Sequence, residues 1–332
     1  MQSGIRQMLS WGLYKKDVAW GKRCCPCKEA PGFWSVNWAA ALLHLLNTVA
    51  TFAFWAASDD QDQVYQLTET AAPWTSITGT SNCTTNLPAN ATLSFQTSDD
   101  WCISRVTTVT SDLSLWWLVI AFHFLSFAFQ AAAMMQWKFV CCGHECVRES
   151  YVDEVDEQGT NVLRMIEYSI SATLMQIAIA LVLGIWQRLV IMGVAFLTVN
   201  TMLLGLIAEQ LNALTKTTPV VKILAWVAHF TGWVSMGGVW VILGRQFYYT
   251  VQTSTVPPPE FVYVIVGVIA VLYTGFGTIQ LVQLCLSTGK NDAKLNRAIE
   301  MAYTVSSLTS KTFLGWIIFA NALGGIAQVK SK

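Results

Sequence analysis

Long apolar runs separated by short polar segments recur along the whole chain. Seven are long enough to cross a hydrocarbon layer as helices, at ~20 residues or more each. They cover 34–57, 113–137, 162–186, 189–211, 220–243, 261–286 and 298–326, numbered spans 1 to 7 below. Seven such surfaces cannot all be buried inside a chain of 332 residues, which excludes a water-soluble enzyme. The predicted fold is an all-α membrane protein, a seven-helix bundle. Residues 1–33 form a basic, Cys-rich arm, 34–326 the bundle, and 327–332 a tail. The longest polar segment, 58–112, is rich in Thr, Ser and Asp. Within it "ATLSFQTS" alternates apolar and polar positions and predicts a strand, with room for a short β-hairpin.

Composition agrees: 54% of residues are hydrophobic and 12% charged, with 15 Trp. Soluble domains carry about 25% charged residues. Orientation follows from Lys and Arg. With the N-terminus cytoplasmic, the inner side holds 14 of these residues and the outer side 5, and Lys311 completes the 20. The expectation is a multi-pass protein in the lipid bilayer, N-terminus cytoplasmic and C-terminus extracellular, with 58–112 outside. The arm lacks the apolar core of a cleavable signal. Ile5, Met8, Leu9 and Leu13 fit a short interfacial helix, and a disordered basic arm fits equally. No nucleic-acid partner is expected.

Cys83 and Cys102 are the only cysteines on the outer side, so a disulfide closing the long loop is expected. Asn82 and Asn90 head two glycosylation triplets there. The inner cysteines, Cys24, Cys25, Cys27, Cys141, Cys142 and Cys146, match no standard zinc spacing. They read as acylated or reduced thiols, and no metal site is assigned. Cys285, near the inner end of span 6, reads as a buried thiol.

One residue breaks the apolar pattern. Lys311, in "SSLTSKTFLGW", lies 13 residues from one end of span 7 and 15 from the other. At ~1.5 Å per residue it is about 20 Å from either end. A lysine stem reaches only ~6 Å, so its ammonium cannot reach the headgroups. The charge must be paired, or the amine chemically consumed, as when it condenses with an aldehyde to an imine. A protonated imine needs a carboxylate at similar depth. The candidates are Glu167 in span 3, Glu209 at the inner end of span 4, and Glu300, three turns before Lys311. In span 3, Arg164, Glu167 and Ser171 share one helix face. Taken alone, that spacing fits an inner-leaflet Arg–Glu ion pair equally well. The buried cation shifts the weight to Glu167, because spans 3 and 7 are commonly adjacent in seven-helix bundles.

These residues resemble a microbial-type rhodopsin, and more closely the heliorhodopsins, the branch with inverted topology. The matching stretches are "AALLHLLNTVA", "FHFLSF", "IEYSISATLM", "NTMLLGLIAEQLN" and "EMAYTVSSLTSKTFLGW". The resemblance implies all-trans retinal on Lys311 with Glu167 as counterion and Ser307, Ser171 and Arg164 around the Schiff base. Ser307 stands where ion-pumping rhodopsins usually carry a second aspartate. His44 and His123 match a polar, proton-accepting cluster. Tyr168, Met175, Asn200, Phe230 and Phe276 match the chromophore pocket. His229 departs from the pattern, standing beside Phe230, where the family usually places a tryptophan.

The function implied is a light receptor with a slow sensory photocycle, not an enzyme, with a homodimer as the implied assembly and an unidentified signalling partner. The alternative is a light-gated passive proton conductance, with His229, Glu209 and Glu300 as relay sites. A ligand-activated seven-helix receptor normally has an external N-terminus and leaves the buried lysine unexplained.

Overall fold

A computed structural model of the chain describes residues 31–57, 65–71, 74–76, 91–96, 101–134, 140–141, 144–145, 151–214, 219–255, 257–286 and 292–320. Residues 1–30 of the basic arm, Asn82, Asn90, Cys83, the inner cysteines other than Cys141 and the C-terminal tail lie outside the described residues, and residues 31–33, expected in the arm, open the first helix. The disulfide and glycosylation expectations fall there too.

Eight helices are described. They are α1 (Pro31–Ala57), α2 (Leu115–Met134), the short α3 (Tyr151–Gln158), α4 (Val162–Val182), α5 (Arg188–Ala213), α6 (Pro219–Thr253), α7 (Glu260–Leu286) and α8 (Ala293–Ile318). The seven predicted spans correspond to these helices without α3. Six of them are long and apolar enough to cross a membrane. The seventh, α8, has the length but carries Lys294, Arg297, Glu300 and Lys311.

Two boundaries differ from the sequence expectation for the same reason: apolarity ends before helicity does. α6 continues to Thr253, because the first residue that cannot continue it is Pro257. α8 begins at Ala293, where the Asp292 side chain accepts from the backbone N–H groups of Lys294 and Leu295, both at 3.1 Å.

The expected strand forms, within a sheet larger than a hairpin. β1 (Tyr65–Ala71), β2 (Trp74–Ser76) and β3 (Ala91–Gln96) all pair antiparallel with β4 (Trp101–Leu113). The sheet is tied to the α4–α5 turn by the Thr68 N–H donating to the Trp186 carbonyl at 2.8 Å. Gly184 makes that turn with a φ of +81°, a conformation side chains rarely adopt. The bundle thus has a sheet end and, opposite, an α3 end.

The apolar core runs through the sheet half of the bundle, around Phe122, Ile179, Val194, Val239, Ile269 and Leu314. Large apolar side chains also cover the outside, among them Phe196, Val234, Val241 and Val271. Water would penalise that surface and lipid would not. Cys285 belongs to this outer surface and is exposed, a correction to the buried thiol read from sequence.

Candidate functional site

The buried polar groups form a column along α8, from the α3 end towards the sheet end. At its middle is Lys311, 2% exposed. A helical side chain leans towards its own N-terminus, so the ammonium reaches back one turn to Ser307. Its Nζ lies 2.9 Å from Ser307 Oγ, 2.6 Å from Glu167 Oε1 and 2.6 Å from Ser126 Oγ. Ser126 in turn donates to Glu167 Oε1 at 2.7 Å. α2, α4 and α8 therefore meet in one charge-balanced polar knot, and the Tyr168 ring lies 5.0 Å from the ammonium. Charge-assisted hydrogen bonds of this length are the strong ones.

Ser126 was not singled out from sequence, although a signal existed. It stands three residues after His123 in "FHFLSF", on the same helix face. The histidine pair itself forms. His44 Nδ1 and His123 Nδ1 are 3.5 Å apart, and both rings interact electrostatically with Lys311. His123 Nε2 faces Gly315, one turn beyond Lys311, where any side chain would collide with the ring.

The α3 end holds a second cluster, and it corrects the reading of Arg164. Arg164 does not pair with Glu167 one turn away. Its Nη2 donates to Glu209 Oε1 at 2.6 Å, its Nη1 is paired with Glu300 Oε2, and its guanidinium lies over the Tyr303 ring. Asn161 organises the site twice. Its carbonyl oxygen caps α4 through the Arg164 N–H, and its amide donates to Glu300 Oε1 at 2.6 Å. Tyr151 from α3 donates to the same oxygen at 2.9 Å.

The expected chromophore pocket is only partly assembled. Met175 and Ser171 are buried on α4, and Ser171 Oγ has no partner among the described residues. Tyr168 donates to the Tyr303 carbonyl and meets Phe276 edge-on, with ring centroids 5.4 Å apart. Asn200 donates to Ser235 Oγ at 2.7 Å. Phe230 is a correction: it is 57% exposed and stacks on Trp226 at the outer surface. The buried stripe of α6 runs through Ala225, Ala228, His229, Gly232, Ser235 and Met236, and Phe230 falls off it. Of the aromatics next to His229, Trp233 is the one turned inward, its ring lying against Gly277. The spacing from His229, one turn earlier, was the available signal.

His229 stands apart from both clusters. Trp233 Nε1 donates to its Nε2 at 3.0 Å, which leaves Nδ1 to donate to Gln280 Oε1 at 3.0 Å. Gln280 continues the chain to the Gly205 carbonyl at 2.7 Å. His229 thus ties α5, α6 and α7 together, with both ring nitrogens engaged.

An apolar-surfaced helix bundle with a lysine held by one carboxylate at its centre is the arrangement expected of a rhodopsin-type membrane protein. A sequence model of the heliorhodopsin family matches residues 76–323, more than half of the 332 residues, and the chain belongs to that family. No curated protein matches it. The family consists of retinal-binding, light-sensing membrane proteins rather than classical enzymes. With its six apolar helices, the chain is an integral membrane protein. Its residues fit a retinal group on three counts: a dry primary amine, a carboxylate within hydrogen-bond distance of it, and a buried hydroxyl, Ser171, without a partner among the described residues.

Proposed function

We propose that the protein is a light receptor in which Lys311 is the attachment point for all-trans retinal and Glu167 is the counterion. The observation that carries this reading is the 2.6 Å contact between Lys311 Nζ and Glu167 Oε1 in the dry centre of the bundle. Retinal, when bound, supplies visible absorption and a light-driven double-bond isomerisation. The remaining chemistry belongs to the chain. Glu167 balances the positive charge at Lys311 Nζ and Ser126 orients Glu167. Ser307 adds an acceptor but no second charge, so a single carboxylate carries the balance. His44 and His123 lie on the sheet side of Lys311 and accept its proton after light. The photocycle is read as slow and sensory. The expected protein is N-in, C-out and dimeric.

Adding all-trans retinal to the purified protein is expected to give a visible band. Lys311→Ala is expected to abolish it. A Lys311→Ala protein that absorbs like the original would remove the basis of the reading.

One observation favours a second reading, a light-gated proton conductance. A cavity of about 20 Å³ is bordered by both Glu167 and Glu300, and so adjoins both polar clusters. Of the relay residues expected from sequence, Glu209 and Glu300 support this path, whereas His229 has both ring nitrogens engaged. Illumination of a voltage-clamped cell expressing the protein decides between the two. A current that reverses with the proton gradient supports conductance, and no current at any voltage supports the sensor.

A further inference from the structure

We infer that Arg164, Glu209 and Glu300 form a proton-exchange site that holds one proton at rest, on Glu209, and communicates with Glu167 through the small cavity between them. Its exchange with Glu167 rests on the retinal reading above, whereas the resting proton does not.

Charge balance is the first reason. One guanidinium faces two carboxylates, and all three side chains are at most 5% exposed. A second buried carboxylate charge without a matching cation is expensive, and protonation relieves it. Hydrogen bonding then selects which carboxyl is neutral. Glu300 is supplied as an anion should be, with donors from Tyr151, Asn161 and Arg164. Glu209 accepts one short hydrogen bond, from Arg164 to Oε1 at 2.6 Å, with weaker contributions from the Gln283 side chain and the Asn161 backbone, while its Oε2 is buried with no partner among the described residues. Gln283 neighbours Glu209. The Gln283 amide nitrogen is committed to the Gly159 carbonyl at 2.7 Å, and its Oε1 also has no partner. Two buried acceptors of this end, Glu209 Oε2 and Gln283 Oε1, lack a donor among the described residues. A proton on Glu209 makes that carboxyl a donor and removes the unmatched charge. Asp156 and Arg297, the other charged pair at this end, bond to each other.

The path is the second reason. The cavity of about 20 Å³ is lined by Glu167 and Tyr168, by Gln130 and Thr304, and by Arg164 and Glu300. That volume accommodates one water, to which Glu167, Glu300 and the other polar lining residues offer partners beside the apolar Phe129, Ala133 and Leu163. The exchange balances as a return step. Once His44 and His123 hold the Lys311 proton, the Glu209 proton passes to Glu300, through the water to Glu167 and on to Nζ. A proton from the α3 end then refills Glu209. Arg164 stays charged throughout, and the cluster ends with one proton, as it began.

Infrared spectroscopy of the full-length protein in H2O and D2O tests the resting proton without retinal or light. The expected result is a deuterium-sensitive carbonyl band of a protonated carboxyl at neutral pH. It should be lost in Glu209→Gln, and also in Glu300→Gln, where the one carboxyl left facing Arg164 ionises; the thermal comparison assigns the proton between the two. Absence of that band from the unmodified protein, or its survival in Glu209→Gln, overturns the proposal. Thermal unfolding supplies an independent readout. Glu209→Gln replaces a neutral carboxyl by a neutral amide and should shift the midpoint less than Glu300→Gln, which removes the anion. The reverse order overturns the assignment to Glu209. With retinal bound, illumination should perturb the same band, and an unperturbed band overturns the exchange. If no visible pigment forms while the dark band is present, the retinal reading fails and the resting proton stands.

Discussion

Replacing Glu167 by Gln leaves the charge of Lys311 facing hydroxyls and a neutral amide in a buried site. Truncating one partner of a buried ion pair costs about 3–5 kcal/mol, and that loss is expected in the retinal-free protein by thermal or denaturant unfolding. In the retinal-loaded protein the visible band should move to the red where the proton is retained, with a near-ultraviolet fraction where it is lost. An unchanged spectrum across neutral pH would exclude Glu167 as counterion. Ser126→Ala removes one of the hydroxyl contacts of Lys311 and one donor to Glu167, leaving the carboxylate itself in place. Its expected cost is smaller, about 1–3 kcal/mol, with a smaller spectral shift in the same comparison. Lys311 and Glu167 were legible as single anomalies, a cation and an anion where hydrocarbon was expected. Ser126 was not, because a serine in an apolar helix is unremarkable until its neighbours are known.

Each helix presents only part of its circumference to the bundle, and a one-residue step turns a side chain by about 100°, enough to leave the core. That rotation separates His229 from Phe230 on α6, and it makes a direct comparison available. Phe230→Ala is expected to leave the visible band unchanged, because the ring packs on Trp226 at the outer surface. Trp233→Ala removes the donor to His229 and the ring against Gly277, so it should shift the band or reduce pigment yield. Absorption spectra of the two variants at equal protein concentration check the register. A larger effect from Phe230→Ala would place the inward face of α6 elsewhere. Hydropathy could not settle this choice, since both aromatics are apolar and the whole helix is apolar around its circumference. Where helices end was misjudged for a related reason: the apolar run measures the hydrocarbon, while Asp292 and Pro257 govern the helices themselves.

At the scale of the molecule, the excess of Lys and Arg on one side predicts an N-terminus inside the cell and a C-terminus outside. Epitope tags at the two ends of the expressed protein check it. The C-terminal tag should be labelled on intact cells and the N-terminal tag only after permeabilisation, and the reverse pattern removes the inverted orientation. The two polar clusters lie along one column, with the α3 cluster reached from the end that this orientation makes cytoplasmic.

The sequence by itself determined the membrane class, the number of long helices, the strand in the first long loop and the two residues that do not belong in hydrocarbon. Those properties depend on runs and periods, which are local and additive. Only the tertiary structure decided the partners. Arg164 bonds across the bundle to Glu209 and Glu300, though Glu167 is one turn away on its own helix. A guanidinium in a dry core goes wherever distant helices bring the most acceptors together, and no spacing along one helix records that.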